Sequence, residues 1–168
     1  MSAVKYTIFE TKWGYFGLAS IGNALIRTVL PLVNREKAKN CLLKNISAAD
    51  YDSRLFSRLQ KQIIAYFEGS YVNFDTNIPL MLAGFSKFGS SILTACRDIT
   101  FGQTISYRQL ACKAGYPDAA RAAGSVMAKN PIPLIIPCHR VLRSDGSMGG
   151  FSAQGSVTLK KRLLTLEK

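Results

Sequence analysis

The sequence predicts an α+β fold: a three-stranded antiparallel sheet with helices first, then a helical second half built around a helix-turn-helix. Three observations carry this prediction. Residues 4–30 hold three short runs of β-type pattern separated by turn-forming residues. Leu55, Leu59, Ile63 and Phe67 recur at four-residue spacing, with Gln60, Lys61 and Glu68 off that stripe. Two short helical segments, 106–114 and 118–129, flank the turn Gly115-Tyr116-Pro117.

The elements follow in order. Val4 to Glu10 alternates, with Val4, Tyr6 and Ile8 set against Lys5, Thr7 and Phe9. Thr11-Lys12-Trp13-Gly14 is a turn, Tyr15 to Ile21 a second strand, and Ala24 to Leu30 a third after Gly22-Asn23. Asn34 is placed to cap a helix through Leu43, and a longer helix spans Ser53 to Phe67 with Gly69 as its C-terminal stop. Tyr71 to Pro79 is irregular and marks the boundary between two domains, 1–80 and 81–168. Ser86 to Ile99 is helical. Ser106 opens the next helix, with Gln109 completing a capping box, and Asp118 is placed to cap the one after it. Asn130 to Val141 carries three prolines, which preclude a regular helix and favour extended neighbours. Val157 to Leu166 is a final helix.

The net charge of +12 is uneven. Residues 1–80 carry 10 Lys/Arg and 6 Asp/Glu, and residues 81–168 carry 12 and 4, so the halves hold +4 and +8. That bias fits either simple solubility or a polyanion docked on the second half. No apolar run is long enough to span a bilayer, and residues 1–10 lack the apolar block of a signal peptide, so a soluble intracellular protein is expected. The four cysteines, Cys41, Cys96, Cys112 and Cys138, are far apart in sequence, and His139 is the single histidine. A zinc finger and a CxxC redox pair are excluded, no bound metal or cofactor is expected, and most of these thiols read as small core residues.

Cys138 differs from the other three. It ends a proline-stiffened segment and is followed by His139 and Arg140. A thiol attacks as its thiolate, which needs a base or cation nearby at neutral pH. Neighbouring side chains point apart, so His139 is expected to reach the sulfur through a bridging water. Taken as a lone dipeptide, Cys-His fits a buried structural thiol at least as well. A cysteine hydrolase fits poorly, because its histidine comes from a distant segment.

Pro137-Cys138-His139-Arg140-Val141 resembles the signature of the O6-alkylguanine-DNA alkyltransferases, the methylated-DNA–protein-cysteine methyltransferases. The likeness extends back through Asn130-Pro131, Arg121-Ala122-Ala123-Gly124 and Phe101-Gly102-Gln103-Thr104-Ile105-Ser106-Tyr107, and forward to the C-terminus. It implies a small α/β domain followed by a winged helix-turn-helix domain that bears the acceptor cysteine. It also implies a partner, double-stranded DNA containing O6-alkylguanine. The damaged nucleotide is flipped and its alkyl group moves irreversibly to Cys138.

The same resemblance implies residue roles. Catalysis falls to Cys138, His139, Glu167, Asn130 and Tyr107, with Glu167 orienting His139 in a cysteine–water–histidine–glutamate relay. DNA contacts fall to Tyr107, Arg108, Arg121, Tyr116, Ser144 and Phe88, with Arg121 filling the vacated stack. The base pocket falls to Pro133, Val141, Phe151, Ser152 and Gly149. Phe151 stands where several relatives have tyrosine, and Leu93 where a tryptophan is common. Only Lys168 follows Glu167, a position at which a glutamate is ordinarily frayed. A monomer is expected. The rival from another class is a lesion-binding protein without transfer chemistry, a fold relative that lacks the cysteine.

Overall fold

The computed structural model describes residues 2–149 and 156–168, and the chain divides into two compact units, residues 1–81 and 82–168.

The first unit is built on strands β1 (Val4–Thr11), β2 (Gly14–Ile21) and β3 (Ala24–Leu32), which form an antiparallel meander. The β1–β2 turn closes tightly because Thr11 Oγ1 donates to the Gly14 carbonyl and accepts from Trp13 N–H. Gly14 has φ +123°, and a Cβ there would collide with the Leu32 carbonyl. The predicted three-stranded sheet gains a fourth member. Strand β4 (Ala49–Tyr51) pairs parallel to the outer edge of β1, giving the order β3-β2-β1-β4. Three residues carry too little pattern to announce a strand; only the exposed edge of β1 makes one of them.

Helix α1 (Arg35–Leu42) starts where Asn34 accepts from Lys37 N–H at 2.8 Å. It lays Ala38 and Leu42 against Tyr6, Ile8 and Ala19 on one face of the sheet. On the other face Phe9 packs on Phe16, whose ring in turn meets Phe67 of α2 (Ser57–Phe67). Both faces of β1 are therefore covered, so Thr7 and Phe9 are buried despite the alternating pattern. Helix α2 begins four residues later than the stripe predicted. Phe56 sits in the left-handed region (φ 50°), which ends the turn over residues 53–56 and leaves Leu55 outside the helix. Its C-terminus follows the sequence: Gly69 (φ 96°) donates to the Tyr66 carbonyl and Ser70 to the Ala65 carbonyl, a Schellman motif.

The second unit holds α3 (Lys87–Arg97), capped by Ser86, then β5 (Ile105–Ser106), α4 (Tyr107–Lys113) and α5 (Ala120–Met127). A 3₁₀ turn (Cys138–Arg140), β6 (Val141–Leu142) and α6 (Ser156–Leu166) complete it. The Ser106/Gln109 capping box forms as the sequence predicts. Gly115 (φ 90°) closes α4, with Gly115 N–H on the Cys112 carbonyl and Tyr116 N–H on the Ala111 carbonyl. The expectation for Asp118 fails. Helix α5 starts one residue later than that cap implies, at Ala120, with Ala119 as its N-cap and no side-chain cap, because Asp118 lies inside the Tyr116–Ala119 turn. Strands β5 and β6 pair parallel, Ile105 with Val141 and Ser106 with Leu142. That short pairing matters most for function: it sets Tyr107, the residue after β5, beside the chain just past the cysteine turn.

Candidate active site

The segment from Asn130 to Val141 does not run extended as its prolines suggest. Pro133 and Ile136 bridge, Ile136 N–H returns to the Ile132 carbonyl, and Leu134 takes φ +76°. A leucine in that region stores roughly 1–3 kcal/mol of strain, held here by the near-complete burial of Leu134. Asn130 pins the loop from inside. Its amide nitrogen donates to the Ile136 carbonyl at 2.8 Å and its Oδ1 accepts from Ile132 N–H at 3.0 Å. Asn130→Ala leaves the buried Ile132 N–H without its acceptor, while the Ile136 carbonyl keeps the Cys138 N–H. It is expected to cost about 1–3 kcal/mol, the range for one orphaned buried group. Urea unfolding would read this cost, and an unchanged midpoint would rule the tie out.

Cys138 opens the 3₁₀ turn and is 6% exposed. Burial pushes its thiol above the ordinary value, against the opposing effects of a hydrogen bond with Asn130 and the nearby Lys160 ammonium. Forming the thiolate therefore needs a partner that takes the proton.

His139 is fully buried, and its Nε2 lies 2.7 Å from Glu167 Oε1. Glu167 is also gripped by Arg140, whose Nε lies 2.9 Å from Oε2 and whose Nη2 lies 2.9 Å from Oε1. Arg140 also donates to the Ile99 carbonyl, and Gly102 N–H to Glu167 Oε2. Burial raises the Glu167 carboxyl, but the His139 and Arg140 hydrogen bonds outweigh it and hold the group well below the usual carboxylate range. Burial lowers the His139 imidazole despite Glu167. The two effects are consistent because the guanidinium keeps the carboxylate ionised without needing a charged imidazole. Neutral His139 then donates from Nε2 to Glu167, which leaves Nδ1 as a free lone pair. Nδ1 is buried with no hydrogen-bond partner among the described residues.

The chain end is thus not frayed. Glu167 is 6% exposed, because the buried guanidinium of Arg140 requires a counter-ion. Sequence reading missed two members of this site. Arg140 lay inside the signature but received no role. Lys160 is fully buried, donates to the Val141 carbonyl at 2.6 Å, and sits 5.8 Å from the centre of the Tyr107 ring. An apolar four-residue spacing around Lys160 (Leu159, Leu163) was the available signal that its helix face turns inward.

Beside this buried chain lies an open groove of about 500 Å³. Tyr107, Arg108 and Arg121 line it from the helix-turn-helix, and Arg143, Ser144 and Gly149 from the segment after β6. Tyr107 is partly buried, and burial first, then Cys138, raises its phenol. Gly149 presses against it so closely that a Cβ would collide with the hydroxyl. Phe88 and Tyr116 are not among the groove residues; their rings pack edge to face at 4.8 Å. Pro133 is partly exposed and Val141 buried. Phe151 and Ser152 lie outside the described residues.

A buried thiol, a histidine held in one tautomer and a cationic helix-turn-helix groove define a nucleophile set beside a polyanion-binding surface. Comparison with known proteins identifies which. Residues 87–168 match the family model described as 6-O-methylguanine DNA methyltransferase, DNA binding domain. A methylated-DNA–protein-cysteine methyltransferase of Methanosarcina acetivorans is 33% identical over 165 residues, covering 96% of this chain and 97% of that protein. One of Methanothermobacter thermautotrophicus is 37% identical over 129 residues, covering 75% of this chain and 70% of that protein. Mycobacterium tuberculosis OGT in complex with DNA superposes with a TM-score of 0.80 at 32% identity, covering 98% of this chain and 92% of that one. The chain belongs to the methylated-DNA–protein-cysteine methyltransferase family. Its fold class, a mixed sheet with helices followed by a helical unit, is that of the solved family structures. No described helix is long and apolar enough to cross a membrane.

Proposed function

We propose that this protein repairs DNA by taking the alkyl group of O6-alkylguanine, and less readily O4-alkylthymine, onto the Cys138 sulfur, once per molecule. The observation that carries the reading is the buried Cys138–His139–Glu167–Arg140 chain set beside a cationic groove. The O6 position of guanine lies within the base stack, where a buried thiolate cannot attack it in line. The damaged nucleotide is therefore turned out, at a cost of a few kcal/mol. Arg121, exposed on α5, fills the gap in the stack. Phosphate contacts from Arg108, Tyr107 and Ser144 offset the cost, and Phe88 and Tyr116 support the same face.

The base then enters a pocket formed by Pro133, Val141, Gly149, Phe151 and Ser152. His139 Nδ1 takes the Cys138 proton through a water molecule, and the imidazolium is stabilised by Glu167. The sulfur forms its bond to the alkyl carbon as the carbon–O6 bond breaks, and that electron pair leaves on the purine. Tyr107 donates a hydrogen bond or proton to the departing guanine anion. A thioether carbon is a poor electrophile toward water, so the product is stable and the protein is spent. The acceptor chemistry belongs to residues 81–168, with residues 1–80 as a separate α/β domain. The protein works as a monomer in the compartment that holds the chromosome.

A duplex carrying one radiolabelled O6-methylguanine tests the reading. Wild type is expected to acquire one label per molecule, and Cys138→Ser none. Tight lesion binding without label on wild type would overturn transfer in favour of a lesion-binding protein.

A further inference from the structure

Arg143 is unassigned by the chemistry above, yet it stands on the groove. Its backbone is fixed by a tight turn: Arg143 N–H donates to the Ser147 carbonyl and Gly146 N–H to the Arg143 carbonyl, both at 2.9 Å, with Gly146 at φ +79°. The nearest acidic residue in sequence, Asp145, spends its Oδ1 on Ser147, accepting from its N–H at 2.9 Å and its hydroxyl at 2.6 Å. Among the described residues no carboxylate forms an ion pair with Arg143. The guanidinium is exposed and lines the same groove as Arg108 and Arg121, which reach it from α4 and α5.

Three guanidinium groups around one groove repel one another, and an anion in the groove relieves that repulsion. The anion has to be extended and planar-edged enough to accept from cations on both sides. A sugar–phosphate backbone meets this requirement, and a guanidinium fork matches a phosphate with two parallel hydrogen bonds.

We propose that Arg143 is a phosphate-binding residue that grips the DNA backbone from the loop side of the groove, opposite Arg108 and Arg121, so that the strand is held on both sides of Tyr107. The inference rests on DNA being the ligand. Arg143 and Tyr107 line the same groove, and the Arg143 charge draws the Tyr107 phenol down against the larger upward effect of burial.

Binding to an undamaged duplex across a range of KCl concentrations tests it directly, and does not require alkyl transfer. Arg143→Gln is expected to lower the slope of log affinity against log salt by about one, the effect of one lost phosphate contact, and to weaken binding about tenfold at low salt. Arg143→Lys is expected to keep most of the slope while binding more weakly than wild type, since it retains the charge and loses the fork. Lys44→Gln, at an exposed position in the first unit, removes the same charge and is expected to keep the wild-type slope. An unchanged slope for Arg143→Gln overturns the proposal, and so does an equal loss for Lys44→Gln, which would reduce the effect to net charge. A second readout compares reaction with an O6-methylguanine duplex and with free O6-benzylguanine. Arg143→Gln is expected to slow the duplex reaction several-fold more than the free-base reaction. Equal slowing of both would place Arg143 in the chemistry or the fold and overturn phosphate binding. Absence of any transfer by wild type would instead remove the proposed function and leave the salt-slope result standing.

Discussion

Glu167→Ala is expected to destabilise the protein by about 3–5 kcal/mol, the range for removing one partner of a buried ion pair. The substitution strands the Arg140 guanidinium, 3% exposed, with the Ile99 carbonyl as its remaining acceptor among the described residues. It also leaves Gly102 N–H and His139 Nε2 without their acceptor. Glu167→Gln keeps one acceptor oxygen but presents an N–H₂ donor where the other carboxylate oxygen accepted, so it loses the charge and part of the hydrogen bonding, and its cost is expected to be smaller than that of alanine. Urea midpoints of the two variants measure the difference, and equal costs would mean that the retained oxygen contributes nothing without the charge.

The same cluster sets the response to acid. The folded-state values of both His139 and Glu167 lie below their ordinary ones, so the unfolded chain binds protons that the folded chain does not. The stabilisation is complete above pH 6.5, the ordinary histidine value. It begins to fall as pH drops below 6.5 through His139, and falls further below 4.5 as the unfolded-state glutamate protonates. Wild-type stability is therefore expected to decline from pH 6.5 downward. In Glu167→Ala the part of that decline below pH 4.5 should be reduced, which pH-dependent urea titrations would detect.

His139→Ala is the second large effect. Cys138 is buried and its thiol is raised, so losing the base leaves almost no thiolate at neutral pH. The single-turnover rate is expected to fall about 10²–10⁴-fold, the usual contribution of a positioned base. The deficit should shrink as pH rises, because solvent then removes the proton that Nδ1 would have taken. A rate equal to wild type at pH 7 would dismiss His139 as the base. A deficit independent of pH would assign it a packing role instead.

These two residues also show where local sequence information runs out. Cys138 and His139 were legible as a pair, because a proline-stiffened thiol beside the single histidine is a chemical signal that needs no fold. Tyr107 and its capping box were equally legible: Ser106 and Gln109 interact within one helical turn, and they bring the tyrosine to the first position of α4. The strands β1 to β3 and both Gly-terminated helices follow from the same short-range rules of alternation, turn chemistry and positive φ at glycine.

Failures of local reading have a common cause in long-range contact. Asp118 is a good cap by type, but the preceding turn determines where α5 can begin. Strand β4 exists because β1 offers an unpaired edge about forty-five residues earlier in the chain. Leu134 adopts a left-handed backbone because the packed loop around Asn130 demands it.

What the sequence by itself determined is therefore the element pattern, the acceptor thiol and the basic bias of the second half, since each depends on residue type and near neighbours. What only the tertiary structure decided is the electrostatics of the site. Charged side chains are ordinarily solvated, so nothing local marks Arg140, Lys160 and Glu167 as buried. Folding brings a guanidinium and a carboxylate that are 27 residues apart into a dry contact. That contact fixes the imidazole tautomer on which the thiol's reactivity depends.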